Sequence, residues 1–393
     1  MIKNILKLFF LKVRAFFKLI IFFLSEFKKI KNAEVVFFFP FYHTGGAEKV
    51  HLNIVKVIGN SNNYVFFSNK SESDNFKKKF DDVVNTYEIF EFLNRNFLIK
   101  KTFIKLLVMQ LNRSRNLLTV FGSNSILFYE LLPLLSESIK KIDLVHAFSK
   151  PDYGIELFSL PYVTYLNTRV VINHNTFENF EELYLKNNIS NFLDRITIIN
   201  NGLSDLNVMF SEKKPNNFSV LFVGRWSKEK RPEFFIEICK KIKLIYPNIN
   251  FTMVGTKLNL NNEMILNAGI NNEGEIFDDE ILNSIYQRSN IVLITSYREG
   301  FPLVIMEAMS NGVVPISVDI GGISEHIQNN YNGYLIDNHK SNEFIIDCFV
   351  EKIIQLYQNQ NQLRVMSKNA FLYSQNQFGT QKFNLKYREI ILR

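Results

Sequence analysis

The strongest constraint on this chain is a pattern that runs twice. Short apolar runs rich in Val, Ile, Phe and Tyr alternate with longer stretches of helical period, stop at a polar segment, and begin again. In the first half the spacing predicts strands at Val35–Phe39, Tyr64–Ser68, Leu118–Phe121, Leu144–Phe148, Val170–Ile172 and Ile196–Ile199. Helical stretches fall between them at Ala47–Ile58, Leu98–Leu111 and Phe177–Leu185. The polar segment "SEKKPNN" (211–217) reads as a linker. Beyond it, strands are expected at Val220–Val223, Phe251–Val254, Ile291–Thr295, Val314–Val318 and Tyr334–Ile336. Helices are expected there at Pro232–Ile245, Pro302–Ser310 and Glu343–Gln358. Strands separated by helices predict parallel sheets covered on both faces. The fold class is therefore α/β, with two doubly wound, Rossmann-like domains. Ligands of such domains lie at the carboxyl ends of the strands, and in a paired arrangement both crevices can face one cleft.

A length of 393 residues suffices for two such domains. The cysteines, Cys239 and Cys348, lack metal-ligand spacing and read as small buried residues. The formal charge of +8 is localised. Lys3, Lys7, Lys12, Arg14, Lys18, Lys28, Lys29 and Lys31 stand against Glu26 alone, so residues 1–31 carry all but one unit of it. A nucleic-acid groove over the globular body is thereby excluded. At about 100° per residue, Lys3, Lys7, Arg14 and Lys18 fall within an arc of roughly 60°, on an otherwise apolar helix. That design suits an anionic membrane surface. It does not suit a span, because the longest uncharged run, Leu19–Ser25, is far short of about 20 residues. The alternative is a helix packed on the protein's own core.

The motifs cluster after strands. "FYHTGGAEKV" places Gly45 and Gly46 between the first strand and a helix, where glycines are free to take unusual backbone angles and expose amides to an anion or sugar. "FVGRWSKEKRPEFFIE" places Arg225 directly after a strand and Lys230 just before a helix, two cations suited to a diphosphate. In "SYREGFPLVIMEAMS", Glu299 lies on a loop and Pro302 suits the first helical position. Glu307 lies within the apolar helix that follows. A carboxylate among such neighbours needs a hydroxyl or cation partner, either a ligand or a structural ion pair. "DIGGISEHI" adds a further Gly-Gly turn at a strand end. The adjacent pairs Asp81-Asp82 and Asp278-Asp279 read as first-turn charges, not metal ligands.

Glu299 and Glu307 form E-x7-E. Together with "VGRWSKEKRP", "INNGL" (199–203), "GGISEHI" and "TGGAEK", this resembles the retaining glycosyltransferases of family 4 (glycosyl transferases group 1). The resemblance implies the GT-B fold and a nucleotide-diphosphate sugar as co-substrate. Glu299 would contact the donor sugar and Glu307 the ribose hydroxyls. Arg225 and Lys230 would hold the diphosphate, beside Gly300, Phe301 and Leu303. Gly45 and Gly46 would form the loop on the acceptor side. A catalytic histidine is expected from the first domain; His146 fits best and His174 competes with it. "KRP" at Lys230–Pro232 departs from the family, where glycine commonly follows the lysine. No cofactor and no metal are expected.

The domains implied are a membrane-associating helix (1–31), an acceptor-side domain (32–210), a linker (211–217), a nucleotide-sugar domain (218–376) and a C-terminal helix crossing back (377–393). The expected activity is sugar transfer with retention to a lipid-linked or cell-envelope saccharide. The expected place is the cytoplasm, on the inner face of the cytoplasmic membrane. Another GT-B chemistry (a sugar-nucleotide epimerase or a phosphorylase) and a non-catalytic membrane scaffold are the alternatives.

Overall fold

A computed structural model describes residues 17, 20–23, 25, 27–59, 62–74, 76–94, 97–149, 154–203, 209–213 and 217–393. Seven strands form one parallel sheet: β1 (Val35–Phe39), β2 (Tyr64–Phe67), β3 (Asn85–Glu88), β4 (Thr119–Ser123), β5 (Lys140–Val145), β6 (Thr168–Val171) and β7 (Ile196–Ile198). Their order is β3-β2-β1-β4-β5-β6-β7. Six more form a second parallel sheet: β8 (Ser219–Val223), β9 (Asn250–Val254), β10 (Asn271–Gly274), β11 (Ile291–Ile294), β12 (Val314–Val318) and β13 (Tyr334–Ile336). These run β10-β9-β8-β11-β12-β13. The expected pair of doubly wound α/β domains is present, and the fold is GT-B.

In each sheet the order reverses beside the first strand, between β1 and β4 and between β8 and β11. Connections leave these neighbours in opposite directions, so a crevice opens at their carboxyl ends. The central strands are apolar on both faces; Val36, Phe38 and Phe66 are fully buried in the first core, as are Val220, Phe235 and Leu293 in or beside the second.

Two edge strands, β3 ("NTYE") and β10 ("NNEG"), escape sequence detection because an edge needs little apolar surface. The strand expected at Leu144–Phe148 begins earlier, at Lys140. Its polar residues hide it. Asp143 is fully buried and takes three guanidinium bonds from Arg169 on β6, the shortest of them 2.6 Å. The Lys141 ammonium is likewise consumed, by the Ser136 and Ile139 carbonyls.

The described residues divide into two units. One runs to Val171 and adds Phe177–Ile199 and Phe383–Arg393; the other holds Ile172–Thr176 and Asn200–Lys382. The division at Asn200 precedes the polar segment 211–217. Lys213 of that segment is tied down, donating to the carbonyls of Tyr286, Gln287 and Asn311 at 3.1, 2.8 and 2.7 Å. These carbonyls sit at the ends of helices Asp279–Arg288 and Leu303–Ser310, where a cation is favoured. Burial pushes the Lys213 amine down to about 7. The closing helix, Thr380–Leu392, belongs mostly to the first unit. There Tyr387 is fully buried and the Ile391 carbonyl accepts a 2.6 Å bond from Thr119.

Part of the basic N-terminal segment packs on the first core. Phe22 lies against Tyr87, Phe92 and Phe103, with ring centroids 5.3–6.0 Å apart, and Ile30 is fully buried. Phe17, Ile20 and Ile21 remain exposed. The remainder of the expected membrane helix, residues 1–16, lies outside the described residues. Among the described helices none is long and apolar enough to cross a membrane.

Candidate functional site

In the second unit the β8/β11 reversal joins two of the sequence motifs. At the end of β8, Gly255 follows β9 so closely that a Cβ on it would meet the Gly224 carbonyl oxygen at 1.9 Å. Only a glycine permits that approach at φ 150°. Arg225 comes next and is exposed, with no ion pair or hydrogen bond among the described residues. Lys230 closes the loop. Its Nζ lies 2.5 Å from Glu299 Oε1, on the loop after β11, and Ser296 Oγ donates to that same oxygen at 2.6 Å. The Glu299 side chain is only 10% exposed and Lys230 24%, so this is a half-enclosed pair open on one side.

Arg231 makes the pairing possible. It sits in the left-handed region (φ 47°) ahead of Pro232 and sends its guanidinium to the carbonyls of Thr295 and Ser296 and to Asn338 Oδ1. In return Thr295 Oγ1 donates to the Lys230 and Arg231 carbonyls. Arg231 is therefore the residue that holds the two loops together. The departure from glycine after Lys230 has this structural occupation.

Gly300 and Phe301 continue the second loop. Phe301 is buried, 4.2 Å from the His326 ring and 5.6 Å from Phe378. The "DIGGISEHI" turn packs directly beneath it: Gly322 N donates to the Gly300 carbonyl at 2.7 Å. Gly321 holds φ 56°, and a Cβ there would stand 2.0 Å from the Glu299 carbonyl oxygen. Gly321→Ala should therefore cost at least about 2 kcal/mol and displace the Glu299 loop. A lowered thermal midpoint checks this; an unchanged midpoint would oppose it.

The helix expected from Pro302 begins instead at Leu303, with Pro302 as its N-cap and no side chain capping its amides. Leu303 is buried at this start. Glu307 is half-buried, and its Oε2 accepts a 2.9 Å bond from the hydroxyl of Tyr286, which is fully buried. The hydroxyl partner required by its apolar setting is thus supplied within the chain. Burial and the neighbouring Glu307 hold the Tyr286 phenol well above its ordinary range, so it stays a donor. Asp278 caps helix Asp279–Arg288 through the amides of Glu280 and Ile281, the first-turn role expected of that pair. Among the described residues no group of three or more His, Cys, Asp or Glu is placed to hold a metal.

In the first unit, Gly45 and Gly46 follow β1, but neither uses a backbone angle closed to other residues. Gly45 is extended (φ −171°) and Gly46 begins the helix Gly46–Ile58. Space, not conformation, explains Gly45. A Cβ on Gly45 would meet the Glu48 carboxylate at 2.2 Å, and Gly46 faces open space. His146 follows β5 immediately. Its Nε2 lies 2.9 Å from Nε2 of His51, a residue of that same helix that motif reasoning overlooks. His51 is fully buried and stacks flat on Phe39, 4.1 Å between centroids. Burial lowers both imidazoles, His146 to about 4. His174 is exposed; its backbone amide and that of Asn175 are held by the Glu325 carboxylate at 3.2 and 2.9 Å. Asn173 caps the same turn through Thr176, and Gly322 packs on Asn173. His174 thus marks a helix start, whereas His146 belongs to a built pair.

Comparison with known proteins supports the same place for the chain. Residues 207–372 match the family model for glycosyl transferases group 1. Curated relatives are similar over parts of the chain. A UDP-Gal:alpha-D-GlcNAc-diphosphoundecaprenol alpha-1,3-galactosyltransferase of Escherichia coli is 29% identical over 187 residues, covering 44% of each chain. The GtfA subunit of a UDP-N-acetylglucosamine–peptide N-acetylglucosaminyltransferase of Streptococcus pneumoniae is 26% identical, over 50% of this chain and 39% of that one. The matches thus span less than half the length of these two relatives. Among solved structures, Anabaena HepE in complex with UDP superposes with a TM-score of 0.72 at 16% identity, covering 91% of this chain and 99% of that one. The likeness shows the fold. The match to the group 1 glycosyl transferase model is confined to residues 207–372.

Proposed function

We propose that this chain is a retaining glycosyltransferase of family 4, moving a sugar from a nucleotide-diphosphate sugar to a lipid-linked or cell-envelope saccharide. The observation that carries the reading is the Lys230–Glu299 pair at the β8/β11 reversal, with the exposed Arg225 beside it. A bound diphosphate would draw Lys230 and Arg225 to its oxygens. That would free Glu299, still held by Ser296, to accept hydrogen bonds from sugar hydroxyls. Glu307, positioned by Tyr286, would meet the ribose. As the sugar–phosphate bond breaks, charge grows on the leaving diphosphate, where fixed cations and amide dipoles stabilise it most. The departing phosphate oxygen can take the acceptor's proton on the same face, so the scheme needs no protein nucleophile and no metal.

The named activity of the E. coli relative and the UDP held by HepE make uridine-diphosphate sugars the first donors to test. Labelled UDP-sugars with undecaprenol-diphosphate saccharides should give a transferred product whose anomeric configuration matches the donor, unaffected by EDTA. Donor turnover without acceptor, inversion, or loss of activity in EDTA would each overturn the part of the scheme it addresses.

The membrane reading rests on the aligned cations of residues 1–18 and the exposed Phe17, Ile20 and Ile21. The chain should sediment with vesicles rich in anionic lipid, and increasing salt should release it. Equal binding to neutral vesicles would argue against the basic stripe.

A further inference from the structure

The His51–His146 pair decides something about the chemistry that His146 can offer. Two ring nitrogens 2.9 Å apart require one proton between them. Either His51 donates through Nε2 or His146 does. The surroundings of His51 break the tie. It has no solvent exposure, and its ring lies parallel to Phe39, with an interplanar angle of 2°. Its Nδ1 is buried without a hydrogen-bond partner. If His146 were the donor, the neutral His51 ring would have to carry its own proton on Nδ1, burying an N–H with no acceptor. Orphaned buried donors are the rarer and costlier defect, whereas a bare ring nitrogen against an apolar neighbour is tolerated more readily. The alternative with both rings protonated places two cations in contact in an apolar setting and is excluded.

We infer that His51 is a positioning residue: it donates Nε2–H to His146 Nε2, fixing His146 as the neutral tautomer with its proton on Nδ1. His146 then offers one free polar atom, and that atom is a donor. The ring is half-buried and Nδ1 has no partner among the described residues, so an oxygen of a bound ligand is the group it can meet. Resting on the proposed sugar-transfer reading, that oxygen is a hydroxyl or ring oxygen of a bound saccharide. His146 serves it as a hydrogen-bond donor and cannot act as the base that deprotonates the acceptor. Its lone pair is already occupied by His51. The burial that lowers both imidazoles acts in the same direction, since it keeps the pair uncharged at neutral pH.

The chain has six histidines, few enough for direct observation. The full-length protein, labelled with 15N only in histidine, would be examined by long-range 1H–15N correlation at neutral pH, with single substitutions assigning each ring. The expected result is Nε2–H for His51 and Nδ1–H for His146. His51→Phe keeps a ring on Phe39 but removes the donor, and should return His146 to the Nε2–H form that free imidazole prefers. His51→Gln retains an N–H and should preserve Nδ1–H. In the transfer assay, His51→Phe should lower kcat about tenfold, the size of one lost hydrogen bond to a ligand, and His51→Gln should restore most of it. An Nε2–H or doubly protonated His146 in the unsubstituted protein overturns the inference, as does an unchanged tautomer in His51→Phe. If His51→Phe does not fold, the spectrum of the unsubstituted protein alone decides. The spectrum needs no turnover, so a failure of the glycosyltransferase reading would show separately, as absence of transfer with the tautomers as expected.

Discussion

Lys230→Ala is expected to lower kcat/KM for sugar transfer by a factor on the order of 10²–10³, the size seen when a preorganised charge-stabilising group is removed. The reason lies in when the cation is needed. In the free chain Lys230 is satisfied by Glu299, at 2.5 Å, on a partly open surface. Its contribution to folding is accordingly small, within about 1 kcal/mol for a pair exposed to this degree. In the proposed reaction the leaving diphosphate gains charge only as its bond to the sugar breaks, and there the ammonium would stabilise it. The thermal midpoint of the variant should move by only a few degrees, because Arg231 and Thr295, which lace the two loops, are untouched. Lys230→Arg should recover part of the rate, since it keeps charge but not the compact ammonium geometry. Full activity in Lys230→Ala would remove the diphosphate role; a large fall in the midpoint would mark Lys230 as chiefly structural.

Asp143→Ala should destabilise the first unit by about 3–5 kcal/mol, the cost of leaving a buried charge without its partner. Arg169 is 1% exposed and Asp143 fully buried. The guanidinium is held by both Asp143 oxygens, by Ser159 Oγ at 2.7 Å and by the Tyr184 hydroxyl at 3.0 Å, and lies 4.6 Å from the centre of the Phe180 ring. Asp143 also accepts a 2.8 Å bond from the Tyr129 hydroxyl. Removing the carboxylate orphans a cation and a phenol together. The double substitution Asp143→Leu with Arg169→Met removes both charges and should be milder than either single change, because no ion is left unpaired. Urea denaturation of the three variants measures this. If the double variant were the least stable, the interaction would be stabilising in net and the desolvation argument would fail here.

These two cases mark the limit of what motifs reveal. Lys230 and Glu299 are visible in the sequence because each lies on the loop that leaves an apolar strand. Asp143 and Arg169 are invisible for the opposite reason. They sit inside strands, and a charged residue in a strand reads as an interruption until its partner on the next strand is known. That is why β5 is misplaced in the sequence reading and begins at Lys140. The edge strands β3 and β10 escape on the same grounds, since nothing apolar marks a strand that covers only a sheet margin. The Gly45-Gly46 turn is legible as a turn, but its cause is not. The glycine at 45 makes room for Glu48, a steric fact that no propensity contains.

The sequence by itself determines the two α/β units, because strand and helix periods alternate twice and parallel pairing is the geometry open to such alternation. It also picks out the loops after β8 and β11, whose charged residues meet. It does not determine who meets whom within those loops. Only the tertiary structure places the Glu299 carboxylate on Lys230 and Ser296, gives Glu307 the Tyr286 hydroxyl, and sets His51 beneath His146. It also makes Arg231 a tie and anchors Lys213 of the segment 211–217. The physical reason is range. Periodicity acts over a few residues of chain, whereas these hydrogen bonds, the Ser296 bond within its own loop excepted, join groups 21 to 98 residues apart, brought within reach by strand order.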